Sequence, residues 1–500
     1  MATDEYSFTQ LQDRMRAGEL TCRAIAEMYL ERIEQIDKSG PALNSIIELN
    51  PDALATADAL DAERRAQGAR GPLHGIPLLL KDNIDTADRM QTTAGSLALA
   101  GPPATRDAFI VRRLREAGAL ILGKANLSEW ANFRSTHSSS GWSSRGGQTR
   151  NPYALDRNPS GSSSGSAAAV AANLCAAAVG TETDGSIISP AHMNSIVGIK
   201  PTVGLLSRSG IVPIAHSQDS AGPMARTVED AAILLGALTG VDAADPVTED
   251  SRGRAFADYR QFLNPDGLRG ARIGVARNFF GFNPRVDKLM ESSIEEMKKL
   301  GAEVVDPANI ETANKLEDAE NQVLLYEFKA DLNAYLGSRG ADAPVHSLEE
   351  IIEFNEQNRE RVMPYFGQEL MIQAQEKGPL TDEVYLQALA TNRRLARTEG
   401  IDAVLARHRL DAILAPSGGP APLIDWVHGH YGDGGSSSPA AVAGYPSITV
   451  PLGYIFGLPV GISFIGGAYQ EPVLLRLAYA FEQNLPVRMP PQFLRTVRFD

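Results

Sequence analysis

The sequence predicts an α/β protein in the form of an α/β/α sandwich. Short apolar runs without polar alternation recur along the 500 residues, and such strands are buried on both faces of a sheet. These runs lie at residues 76–80, 120–122, 273–275 and 412–414. Segments with helical spacing fall between them, at residues 108–117, 228–238 and 288–300. Because no repeat or low-complexity linker divides the chain, we expect residues 1–500 to form a single domain.

The N-terminal part of the chain, residues 1–70, is predicted to be a helical lead-in. Thr21 is a suitable N-cap for a helix that reaches about residue 35. Pro51 opens a second segment of helical periodicity, since proline is favoured in the first turn of a helix. Residues 71–230, where short apolar runs begin, carry the motifs described below and form the expected catalytic core segment.

Residues 314–404 are charged and helical with few strand signals, and sheet-like segments resume at residue 410. We therefore expect an inserted helical region rather than a separate domain. It either covers the active-site cleft or forms an ordinary helical layer on the fold. Residues 432–438 are rich in glycine and serine and predict a surface loop or a pocket rim.

Composition excludes several classes of function. The net charge of −14 disfavours binding to nucleic acid or to anionic lipid, so we expect a small or neutral substrate. We also expect a monomer. Cys22 and Cys175 supply neither a disulfide framework nor a metal cluster and are expected to be packed thiols. Residues 1–20 lack a secretory signal, and the weakly polar run 167–180 is too short to span a bilayer. We expect a soluble protein, cytoplasmic, or periplasmic or secreted if a leader was removed.

Two glycine- and serine-rich motifs point to acyl-transfer chemistry. The first, at residues 160–166, precedes an alanine-rich helix and could present backbone N–H groups to an anion. It lacks the lysine that ends a phosphate loop, which argues against nucleotide binding. The second is a turn at residues 183–186, where the amides of Thr183, Asp184, Gly185 and Ser186 can converge on a developing oxyanion.

Lys81 ends the apolar run 76–80. A lysine in this position is commonly a solvated strand end, but burial disfavours its charged form and would let a neutral lysine act as a base. Histidine is the usual partner of a nucleophilic serine, yet neither His74 nor His192 lies in a nucleophile-elbow motif. The chain also lacks the common zinc-binding motifs. We therefore expect no metal and no cofactor.

Taken together, these motifs resemble the amidase signature family over nearly the whole chain. The resemblance implies one large α/β/α sandwich with a central mixed twisted sheet covered by helices. It also implies a triad in which Ser186 is the nucleophile, Ser162 a bridging serine after a cis Gly161–Ser162 peptide, and Lys81 the base. An acyl-enzyme would form while the amides of residues 183–186 hold the oxyanion.

Two departures from the general family pattern indicate which members of the family this sequence resembles most. The run 160–165 reads Ser-Gly-Ser-Ser-Ser-Gly, and Asp184-Gly185 replaces the usual pair of glycines before the nucleophile. These variants, with the segments 126–133 and 146–153, are most similar to the bacterial peptide amidases. That likeness implies release of ammonia from C-terminally amidated peptides.

Three alternative functions remain open. The triad would equally serve a general aliphatic or aryl amidase. The chain could also be the amidase component of a tRNA-dependent amidotransferase, which would need a partner. A non-catalytic scaffold is the third alternative, although Lys81, Ser162 and Ser186 are all present.

Overall fold

The computed structural model describes residues 5–429, 432 and 434–499. Eleven strands form one sheet in the order β1-β3-β2-β6-β8-β7-β12-β13-β11-β9-β10, and β4 and β5 form a separate two-stranded ribbon. The strands are β1 (Ile46–Leu49), β2 (Pro77–Lys81), β3 (Leu120–Ala125), β4 (Trp142–Ser143), β5 (Gly147–Gln148), β6 (Ala177–Glu182), β7 (Val197–Lys200), β8 (Ser220–Ala225), β9 (Arg272–Val275), β10 (Glu303–Val305), β11 (Ala412–Pro416), β12 (Ser447–Ile455) and β13 (Leu458–Ile465).

Helices cover both faces of this sheet and form the region between β10 and β11. They are α1 (Phe8–Arg16), α2 (Cys22–Arg32), α3 (Ala53–Gln67), α4 (Phe109–Glu116), α5 (Ser164–Ala171), α6 (Ile188–Met193), α7 (Val228–Leu238), α8 (Pro284–Lys299), α9 (Glu317–Ser338), α10 (Leu348–Gln357), α11 (Arg359–Val362), α12 (Glu369–Gln375), α13 (Glu383–Arg393), α14 (Asp402–His408), α15 (Ser438–Ala443) and α16 (Glu471–Asn484). Two π-helical stretches extend α2 and α13, Ile33–Lys38 and Arg394–Ile401.

The sheet is mixed, as the sequence predicts. Strand β2 runs parallel to both β3 and β6, whereas β6 pairs antiparallel with β8. Every residue of β2, β3, β6 and β8 is buried, which explains why these strands read as runs without polar alternation. The predicted fold class is confirmed.

Helix starts follow the capping signals in the sequence. The Thr21 hydroxyl accepts a hydrogen bond from the amide of Ala24 and so caps α2, as predicted. The lead-in is not wholly helical, however, because β1 lies within it and pairs antiparallel with β3 at the edge of the sheet. Four residues are too few for a period of two to stand out in sequence.

The helical region predicted at residues 314–404 is present as α9 to α13 and the start of α14. Its first helix, α9, packs on the core segment through Phe328, whose ring lies 5.0 Å from that of Phe133. None of the helices in the described ranges is both long and apolar enough to cross a membrane. The predicted loop at 432–438 lies partly outside the described residues, and its last residue begins α15.

Candidate active site

Lys81 is the last residue of β2 and is fully buried, not a solvated strand end. Its Nζ atom lies 2.7 Å from Ser162 Oγ, 2.7 Å from Thr181 Oγ1 and 3.2 Å from the carbonyl oxygen of Thr181. A neutral amine has two N–H bonds and one lone pair. The two oxygens of Thr181 can accept both N–H bonds, which leaves the lone pair facing Ser162.

Burial lowers the pKa of Lys81 from 10.5 to about 7. The carboxylates of Asp219 and Glu182 oppose this shift, but no acidic side chain in the described part of the chain forms an ion pair with Lys81. Lys124 and Lys200 are equally buried, but Lys124 donates to Thr92 and to a carbonyl, and Lys200 donates to carbonyl oxygens. Lys81 is therefore the buried lysine that is bonded to a serine hydroxyl.

Ser162 lies in the loop before α5, and the Gly161–Ser162 peptide is cis. Its carbonyl oxygen accepts a hydrogen bond from the amide of Ser128 at 3.1 Å. A Cβ atom on Gly161 would lie 2.2 Å from Ser128 Oγ, so a side chain at residue 161 is excluded by close packing. The loop is thereby held against Ser128, and the Ser162 hydroxyl reaches Lys81.

Ser186 ends the turn at residues 183–186, which joins β6 to α6. Its carbonyl oxygen accepts a hydrogen bond from the amide of Ser163 at 3.2 Å, so the turn lies directly beside the Ser162 loop. Gly185 has φ +74°, a conformation that favours glycine. Within the described ranges, no hydrogen bond uses the amide N–H groups of residues 183–186. Four donors are thus free for a ligand.

A buried carboxylate secures the far end of this turn. Glu182 Oε2 accepts the amides of Ile187 at 2.7 Å and Ile188 at 2.9 Å. Burial raises the pKa of Glu182, whereas Lys200 lowers it. Because Glu182 precedes the turn and the two amides follow it, this carboxylate fixes both ends of the segment that carries Ser186.

Two amides of the first glycine-rich motif are bonded within the protein and are not available to an anion. The amide of Ser163 donates to the carbonyl of Ser186, and the amide of Gly165 donates to the carbonyl of Asn126 at 2.9 Å. These donors are engaged within the protein because the loop is packed between Ser128 and the turn. The motif instead holds Ser162 in place.

The sequence interpretation missed Thr181 and Glu182. They are the last two residues of the apolar strand β6 and place polar side chains at buried positions, and this was the signal available in the sequence. Thr181 Oγ1 also accepts a hydrogen bond from Asn83 Nδ2 at 3.0 Å, which orients it toward Lys81.

Neither His74 nor His192 is bonded to Lys81, Ser162 or Ser186. His192 is buried, and burial lowers its pKa to about 3. The ring of His74 is bonded to the carbonyl of Leu60. Cys22 and Cys175 are buried free thiols, as predicted.

One cluster among the described residues has the donor types of a metal site: His216, Glu327 and Asp331. His216 Nδ1 lies 2.9 Å from Asp331 Oδ2, and its Nε2 lies 3.4 Å from Glu327 Oε1. Each ring nitrogen thus faces a different carboxylate. Asp331 and Glu327 raise the pKa of His216 and so favour the charged form of its ring.

The fold and the arrangement of residues define an α/β enzyme of the hydrolase class. The model of the Amidase family matches residues 24–475. The chain belongs to the amidase family, and it is an amidase.

Known relatives agree with this assignment. A probable amidase from Arabidopsis thaliana is 44% identical over 485 residues, which is 95% of this chain and 89% of the relative. A component of the glutamyl-tRNA(Gln) amidotransferase of Halorhodospira halophila is 38% identical over 95% of this chain and 96% of the relative. The crystal structure of native peptide amidase from Stenotrophomonas maltophilia superposes with a TM-score of 0.93, at 52% identity over 98% of this chain and 99% of that one.

Proposed function

We propose that this amidase releases ammonia from C-terminally amidated peptides through an acyl-enzyme on Ser186. The observation that carries the mechanism is the contact of 2.7 Å between Lys81 Nζ and Ser162 Oγ in a fully buried setting. A lysine whose pKa is about 7 is about half free base at pH 7 and largely free base from about pH 8 upward.

Acylation begins when Lys81 takes the proton of the Ser162 hydroxyl as Ser162 takes that of Ser186. The oxygen of Ser186 forms a bond to the carboxamide carbon, and the carbonyl π electrons move onto its oxygen. The free amides of residues 183–186 stabilise that oxyanion, and each well-placed donor contributes roughly 3–4 kcal/mol. When the C–N bond breaks, the proton on Lys81 returns through Ser162 to the nitrogen, which leaves as ammonia.

Deacylation reverses the roles of these groups. Water gives a proton along the same relay and attacks the ester carbon, and the same amides hold the second oxyanion. The Ser186 oxygen recovers a proton as the C–O bond breaks, and the peptide acid is released. None of these steps requires a metal or a cofactor.

The likeness to the peptide amidase of Stenotrophomonas maltophilia supports the peptide substrate, together with Asp184 at the position where the wider family has glycine. To test this, ammonia is measured from an N-acetylated tripeptide amide, the matched free acid and a simple aryl amide. We expect kcat/KM for the peptide amide to exceed that for the aryl amide by at least about tenfold, which corresponds to 1.4 kcal/mol. Equal rates would favour a general amidase instead.

The general amidase is the second candidate, since the Arabidopsis thaliana relative carries only the name probable amidase. Likeness to a component of an amidotransferase makes a control necessary. The assay therefore contains neither tRNA nor glutamine, and ammonia release from the peptide amide under those conditions would argue against a dependence on partner proteins.

A further inference from the structure

A short segment outside the triad connects the helical region to the turn that carries Ser186. This segment, residues 214–219, precedes β8 and is called here the bridging segment. One side of it is bonded to helix α9, and the other side is bonded to Thr183.

The contacts with α9 use three carboxylates of one helix face. The amide of His216 donates to Asp331 Oδ2 at 2.9 Å, the amide of Ser217 to Glu327 Oε2 at 2.9 Å, and Gln218 Nε2 to Glu320 Oε1 at 2.8 Å. Positions 320, 327 and 331 are separated by seven and four residues, so they share a face of the helix. The bridging segment is thereby fixed along two turns or more of α9.

The contacts with the turn converge on Thr183. Gln218 Nε2 donates to the carbonyl oxygen of Thr183 at 3.3 Å, and the Thr183 hydroxyl donates to Asp219 Oδ1 at 2.6 Å. The other oxygen of Asp219 accepts the amides of Ile214 at 2.8 Å and Ala215 at 3.0 Å. Gln218 and Asp219 are thus each held by a further contact outside the turn.

The planarity of the peptide bond gives these contacts a consequence for catalysis. The carbonyl of Thr183 belongs to the same peptide unit as the amide N–H of Asp184, and in a trans peptide the two bonds point in opposite directions. A donor that holds the carbonyl therefore sets the direction of the N–H. The amide of Asp184 is one of the four free donors of the turn.

We propose, on the basis of the proposed function, that Gln218 and Asp219 are positioning residues that hold Thr183 and aim the amide of Asp184 at the oxyanion. They act through Thr183. Helix α9 provides the fixed support from which they act. The helical region would then contribute to transition-state stabilisation, in addition to any contact it makes with substrate.

The test uses two variants. Thr183→Val keeps the shape of the side chain and removes the bond to Asp219. Gln218→Met removes the bond to the Thr183 carbonyl and, with it, the bond to Glu320. Because a misdirected oxyanion donor weakens only the transition state, we expect kcat for the tripeptide amide to fall about tenfold or more with KM within about twofold. Affinity for a peptide aldehyde, which forms a tetrahedral adduct with the serine, should fall by a similar factor.

Two further variants separate positioning from stability. Thr183→Ser retains the hydroxyl and should recover the larger part of kcat. Thr239→Val is the matched control, because the buried Thr239 hydroxyl donates to the carbonyl of Gly236, away from the turn, and its kcat should stay at the parental value. Urea midpoints measured for all variants identify any loss that arises from unfolding.

The inference is wrong if Thr183→Val and Gln218→Met both keep kcat within twofold of the parent, or if KM rises while kcat is retained. Ser186→Ala is measured in parallel. If Ser186→Ala keeps its turnover, the proposed function fails. If it loses turnover while the two positioning variants keep theirs, only the present inference fails.

Discussion

Lys81 Nζ and Ser162 Oγ lie 2.7 Å apart in a part of the molecule where both side chains are fully buried. Desolvation makes the charged form of the lysine unfavourable, and Thr181 accepts the N–H bonds that a neutral amine would donate. Burial therefore makes Lys81 a base, and Thr181 orients it toward the Ser162 hydroxyl. Each of the following predictions depends on this relationship or on the turn beside it.

The first prediction concerns the pH dependence of turnover. Only the deprotonated form of Lys81 can accept a proton, and its pKa is about 7. We expect kcat/KM for a peptide amide to fall by a factor of ten for each pH unit below about 7, and to level off above it. A rate that stays constant from pH 8 to pH 5 would show that Lys81 is not the base.

The second prediction concerns stability and is independent of activity. The unfolded chain binds a proton at Lys81 up to pH 10.5, whereas the folded chain releases it at about 7. Folding therefore becomes more favourable as pH rises between these values, by roughly 5 kcal/mol in total. Lys81→Met removes this contribution. The stability of the variant relative to the parent should be greatest at pH 7 and should decline steadily toward pH 10, as measured by urea unfolding.

The third prediction concerns the relay. Ser162→Ala leaves Lys81 without a hydroxyl through which to act, so we expect kcat to fall by at least about 10²-fold with a small change in KM. Ser166→Ala is the matched control, because Ser166 is a buried serine of α5 whose hydroxyl donates to the carbonyl of Val179. Comparable kcat losses in the two variants would indicate general disruption of this region rather than loss of a relay.

The fourth prediction concerns the turn. An alanine at Gly185 must adopt φ near +74°, and its Cβ would lie 2.9 Å from Ser437 Oγ. We expect Gly185→Ala to lose about 1 kcal/mol of stability and at least about tenfold in kcat, because the oxyanion donors move. Gly253→Ala serves as control, since Gly253 has φ +76° with no atom within 4 Å of an added Cβ. It should lose similar stability while kcat stays at the parental value.

Much of the fold could be predicted because buried strands and capped helices leave local signals. The runs at 76–80 and 412–414 became β2 and β11, and Thr21 caps α2. Strand β1 was missed because its four residues form a strand only by pairing with β3, a partner more than 70 residues away. Tertiary pairing of this kind leaves little trace in local sequence.

The residues of the candidate site could likewise be predicted only in part. Lys81, Ser162 and the turn at 183–186 stand in recognisable motifs, and the structure brings the lysine to Ser162 and the turn beside it. Gln218 and Asp219 could not be assigned, because their role depends on a peptide unit 35 residues earlier and on carboxylates of α9. Only the folded chain brings these groups together.

Identification of the acylated residue tests the central claim most directly. The protein is treated with a peptide-based fluorophosphonate, which labels an activated serine, and the modified residue is located by mass spectrometry while ammonia release is followed. We predict one label per chain on Ser186, in proportion to the activity lost, and no labelling of Ser186 in Lys81→Met at the same pH. Inactivation accompanied by a label on any other residue would contradict this account.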